Sequence, residues 1–175
     1  MFKRLFIGSC TLLMAFACMA ADPPPGQIDP EQFLRLADDE DVRIEVSLRG
    51  ALLKAITKID PELHALAGGL ESINVVVLSL KEAELDRTRR QVRQIDEDLQ
   101  SRGWQRLARV REEDAEIKVL VLNNEEQIQG LVVMVIEMSE GQLIFANVAG
   151  EIDLESLSQI GEQLDIPGLE SIDVD

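Results

Sequence analysis

IQGLVVMVIEM, residues Ile128–Met138, is the stretch whose reading decides the fold. In an extended chain Leu131, Val133 and Val135 point one way and Val132, Met134 and Ile136 the other, so the segment is apolar on both sides. A strand of that kind belongs in a sheet that needs cover on both faces. Its neighbours have the same grain. WQRLARV (Trp104–Val110), EIKVLVL (Glu116–Leu122) and QLIFANVAG (Gln142–Gly150) are set apart by REEDA, NNEEQ and SEG, gaps of hairpin length rich in turn formers. The C-terminal half therefore reads as an antiparallel meander.

Upstream, VRIEVSL (Val42–Leu48) alternates strictly, with Val42, Ile44, Val46 and Leu48 on one side, and INVVVLSL (Ile73–Leu80) is a second strand. Helices fill the gaps. Pro30–Ala37 suits a short helix capped by Asp29, Ala51–Lys58 another, and Pro61–Ala67 a third that Gly68 and Gly69 end. From Glu82 to Arg102, Leu85, Val92, Ile95 and Leu99 recur at helical spacing, and Gly103 stops the run. Asp153 caps a last helix with Leu154, Leu157, Ile160 and Leu164 on one stripe. The expected fold is α+β, a largely antiparallel sheet with amphipathic helices packed on it, in one domain over residues 42–164.

The N-terminus predicts export. Lys3 and Arg4 precede an apolar run, Leu5–Ala17, too short to span a bilayer, and Asp22 with Pro23, Pro24 and Pro25 closes it. Cys18-Met19-Ala20 fits a cleavage site before Ala21, making residues 1–20 a signal peptide and the mature protein periplasmic or secreted. Cleavage after Ala15-Phe16-Ala17 would instead leave Cys18 first, where bacterial lipoproteins are acylated. Residues 21–41 then read as a Pro-rich linker with an acidic end, and 165–175 as an acidic tail. Cys10 and Cys18 are the only cysteines, so an internal disulfide in the domain is excluded and the fold rests on its core.

The chain carries 17 Lys+Arg against 33 Asp+Glu, a net charge of −16, which loss of Lys3 and Arg4 makes two units more negative. Such a charge disfavours nucleic acid and anionic membranes. The arginines are unevenly spread, with Arg87, Arg89, Arg90, Arg93, Arg102, Arg106, Arg109 and Arg111 in one stretch. Arg87, Arg90, Arg93 and Arg106 form a candidate basic cluster, although Asp86 four before Arg90 and Glu97 four after Arg93 also fit a solvated helix face.

Catalytic chemistry is thinly supplied. His64 is the one histidine and sits in PELHALAGG with no nucleophile elbow, no H-E-x-x-H and no C-x-x-C near it. DDED at Asp38–Asp41 and the terminal DVD lack the spacing of a calcium loop. With 3% aromatics, no Tyr and a lone Trp104, stacking platforms for sugars or bases are missing. The sequence therefore predicts no catalytic residue, no metal and no cofactor.

Taken in order, LRGALLKA, GLESINVVVLSL, LQSRGWQRLARV, EIKVLVLNNEEQIQGLVVMV and LIFANVAGEIDLESLSQI resemble the domain of unknown function 4252 family, exported bacterial proteins, over roughly Val42 to Ile160. The resemblance implies no activity and no site residues. It implies genomic neighbourhoods near sigma factors and their regulators, an envelope-response setting. If the last helix leaves the second sheet face bare, about 500 Å² of apolar strand surface is exposed, more than monomers usually show. The expected role is a non-enzymatic binding or regulatory module of the cell envelope, associating with a protein partner or a second copy through a face that includes Val132, Met134 and Ile136. The alternatives are a lipoprotein tethered through Cys18 and, third, a hydrolase using His64 or paired carboxylates.

Overall fold

The computed structural model describes residues 23–59, 69–124 and 127–152. Six strands form one antiparallel sheet: β1 Val42–Arg49, β2 Leu70–Ser79, β3 Gln105–Arg111, β4 Ala115–Asn123, β5 Ile128–Glu137 and β6 Gln142–Ile152. Their order across the sheet is β1-β2-β6-β5-β4-β3, so the meander β3 to β6 is joined to the β1–β2 pair through its last strand. Among the described residues three α-helices accompany it: α1 Glu31–Leu34, α2 Gly50–Ile59 and α3 Glu82–Ser101. The architecture is α+β, as the alternation and helical spacing predict. Cys18, His64, the Pro61–Ala67 segment and the helix expected from Asp153 lie outside the described residues.

The two faces of the sheet have different fillings. On the first, Val76, Leu78, Val132, Met134, Ile136, Leu143 and Phe145 pack under Val92 and Leu99 of α3. On the second, Val119, Val121, Leu131 and Val133 pack with Leu53 of α2 and Ile152. α2 and α3 thus serve opposite faces. α3 ends as its glycine predicts. Gly103 takes φ +94, its N–H donates to the Gln100 carbonyl at 3.1 Å, and the Trp104 N–H donates to the Leu99 carbonyl at 3.1 Å, with both side chains buried together.

The Pro-rich stretch expected to be an extended linker is packed from Pro24 onward, and the short helix expected after it forms over Glu31–Leu34. A turn with Gln27 N–H donating to the Pro24 carbonyl (3.0 Å) leads the chain across the first face, where Ile28 and Phe33 are buried. Phe33 lies on the ring of Phe145 with centroids 3.7 Å apart and planes 16° from parallel. Asn147 of β6 holds the backbone of this segment. Its Oδ1 accepts from the Ile28 N–H (2.9 Å), and its Nδ2 donates to the carbonyls of Gly26 (2.9 Å) and Leu131 (3.1 Å). The chain comes so close to β5 that a Cβ on Gly130 would stand 2.6 Å from the Gly26 Cα and 2.8 Å from the Trp104 ring. Prolines resist helix and strand, but they do not prevent an irregular segment from being buried once its polar groups are met.

Asn147→Ala removes those three bonds and leaves the Ile28 N–H interior and unmet. A loss of about 2–3 kcal/mol is expected in urea unfolding, with faster amide exchange at Ile28 than at the strand centres.

Candidate functional site

Strand register places side chains in rows across the sheet. On the second face one row runs through all six strands: Ile44, Val77, Ile144, Val135, Ile117 and Val110. All six are branched and apolar, and none is fully buried; Ile44, on edge strand β1, is 48% exposed. The next row, Val46, Val75, Ala146, Val133, Val119 and Ala108, is open at the β1 end, where Val46 is 37% exposed, and closed at Val133 and Val119. On α2, Leu52 is 55% exposed. At ~4.8 Å between strands the row from Ile44 to Val110 is about 24 Å long.

Val132, Met134 and Ile136, expected to belong to an interaction face, are not on it. They lie on the first face at no more than 1% exposure, covered by α3 and the N-terminal segment. Two-sided apolarity identifies β5 as central but is symmetric between its faces. Ile28 and Phe33, far away in sequence, complete the cover of this face together with α3.

β1 departs from strict alternation as well. Val42 pairs with Leu78 and Ile44 with Val77, so a bulge at Arg43 puts Val42 on the first face and Ile44, Val46 and Leu48 on the second. The bulge and the Arg43 and Glu45 side chains blunt this edge against random strand addition.

The first face carries a charged cluster beside β3. Lys118 of β4 and Asp96 of α3 are both buried, their Nζ and Oδ2 3.4 Å apart. Asp96 also accepts from Arg106 Nη2 (2.7 Å) and from Gln100 Nε2 (2.7 Å). Buried Glu116 lies 3.2 Å from Arg109, 3.6 Å from Arg89, 3.6 Å from Arg111 and 3.8 Å from Lys118. Burial acts to raise the Glu116 carboxyl pKa, but the Lys118 charge, the Arg109 hydrogen bond and Arg111 outweigh it and hold it below the ordinary value. Burial lowers the Lys118 ammonium against the opposing pull of Asp96 and Glu116.

Of the expected basic cluster, Arg106 belongs to this network, while Arg87, Arg90 and Arg93 are exposed on α3. Sequence reading missed Asp96, Glu116 and Lys118, although Asp96 stands on the helical stripe of Val92 and Leu99, and Glu116 and Lys118 share the inward phase of EIKVLVL with Leu120.

Near the opposite edge, a cavity of about 610 Å³ opens between the N-terminal segment and α2, lined by Pro24, Gln27, Arg49, Lys54 and Glu71. Among the described residues no group of three or more His, Cys, Asp or Glu side chains is placed to hold a metal ion, and no helix is long and apolar enough to cross a membrane. Residues 36–160 match the model of a protein family. Neither a curated protein nor a solved structure matches the chain.

Proposed function

The chain belongs to the family described as domain of unknown function 4252, whose model covers those residues, and on that premise we propose that it is an exported, non-enzymatic binding module that acts by protein association. The observation that supports this reading is the half-buried apolar row from Ile44 to Val110, exposed at its Ile44 end with Val46 beside it. Six branched side chains in register make a flat, rigid surface whose burial gains hydrophobic energy at little side-chain entropy cost, as β-branched residues have few rotamers to lose.

Sedimentation of the mature chain over a wide concentration range tests this, paired with binding of an apolar dye. Self-association or saturable dye binding is expected, and Ile44→Lys should weaken it about tenfold or more without unfolding a side chain that is already half in water. A strictly monomeric protein that binds no dye overturns the reading. Intact mass from separated soluble and membrane fractions tests export: a soluble product starting near Ala21 supports a free module, and a membrane product starting at an acylated Cys18 makes the module a tethered one.

A further inference from the structure

The charged cluster on the first face is out of balance. Arg89, Arg106, Arg109, Arg111 and Lys118 gather around two carboxylates, Asp96 and Glu116, and so leave a surplus of three positive charges in a chain whose net charge is −16. The Asp96 carboxylate already answers Arg106 and Lys118, and four cations lie within 3.8 Å of Glu116. The Nε of Arg89 is buried and donates to no acceptor among the described residues. Holding like charges together without a counter-charge is unfavourable, and a donor without an acceptor adds to the cost.

We propose that this cluster is a binding site for a compact dianionic oxyanion of the phosphate class, either free phosphate or a phosphate monoester, held by Arg89, Arg109 and Arg111. Glu116 accepts a 3.2 Å hydrogen bond from Arg109 and draws Arg89 and Arg111 to within 3.6 Å, so the three guanidiniums are gathered before an anion arrives. Guanidinium forks match the tetrahedral oxygens of phosphate bidentately. Lys118 is buried and engaged by two carboxylates, so it contributes field and no direct contact. A dianion reduces the surplus from three charges to one, whereas a single carboxylate leaves two. Long polyanions are disfavoured because Glu112, Glu113 and Asp114 form the β3–β4 turn next to Arg111 and the whole chain is acidic.

Calorimetric titration of the mature chain with inorganic phosphate and with glycerol 3-phosphate, against sodium chloride at matched ionic strength, tests the proposal. Saturable one-to-one binding is expected for at least one of the two phosphates, with a rise in thermal midpoint that chloride does not reproduce. Arg89→Gln and Arg111→Gln, both at partly exposed positions that need not disturb folding, should each weaken binding about tenfold. Arg43→Gln on β1 should not weaken it. Binding of the monoester alone would assign the site to a phosphoryl group on a larger molecule, and binding of both would assign it to the phosphate group itself. No saturable binding, equal affinity in the Arg89 and Arg111 variants, or an acidic peptide binding where both phosphates fail would overturn the proposal.

Discussion

Phe33→Ala should destabilise the protein by about 3–5 kcal/mol, a large part of the roughly 5–15 kcal/mol that holds a domain of this size together. The ring has no exposure and lies flat on Phe145, near the middle of the first-face core. Truncation removes the aromatic contact and opens a cavity bounded by β6, which is paired on both sides and has little freedom to collapse. Urea unfolding measures the loss, and limited proteolysis between Pro24 and Ala37 locates it, because a detached segment becomes a substrate. If residues 21–41 were a tether, the same substitution would change stability by no more than about 0.5 kcal/mol. The two views of this segment differ by several kcal/mol at one side chain.

Asp96→Asn is the second large effect, expected at about 3 kcal/mol or more. The amide keeps the shape of the carboxylate but leaves the buried Lys118 ammonium with only Glu116, 3.8 Å away and shared among three arginines. Lys118→Met should cost less, since Asp96 keeps its 2.7 Å bonds from Arg106 and Gln100. The double variant should recover much of the loss of Asp96→Asn, because the stranded charge is then gone. The pH dependence has a definite sign. Burial lowers the Lys118 pKa in the folded protein, and loss of Asp96 takes away the largest opposing influence. Between that lowered value and the unfolded lysine value near 10.4 the unfolded chain binds more protons, so stability rises with pH across the window and the penalty is complete below it. The deficit of Asp96→Asn measured in urea should therefore be smaller at about pH 9 than at about pH 6.

What could be read from sequence follows the range of the interactions involved. β4, β5 and β6 and their turns were legible because alternation and turn chemistry are local, and so was α3 with its stop at Gly103. The N-terminal segment was not. Ile28 and Phe33 have no periodic neighbours, and the groups that receive them, Asn147 and Phe145, come more than a hundred residues later. The charged cluster failed for a related reason. Asp96 stands beside Glu97 and Asp98 in a helix rich in charge, and although its phase is that of Val92 and Leu99, a carboxylate on a buried stripe has meaning only once its partners on another element are known. A lysine within an apolar strand has meaning once its partner helix is known to cross above it. The row from Ile44 to Val110 on the second face was half legible: periodicity gave its members strand by strand, but their alignment across six strands depends on register and on the bulge at Arg43.

The position of β6 sets the order in which the molecule can be built. Before Gln142–Ile152 is available, β1 and β2 form one pair and β3, β4 and β5 a separate three-stranded piece, each with a raw edge and no shared core. The same strand carries Phe145 and Asn147, so residues 26–33 have nowhere to dock until it arrives. Both ends of the described chain therefore close on one late element, across loops whose entropy must be surrendered before most native contacts repay it. Folding should be a single slow cooperative event governed by the insertion of that strand, and a chain still emerging from a ribosome should stay open until Gln142–Ile152 has emerged.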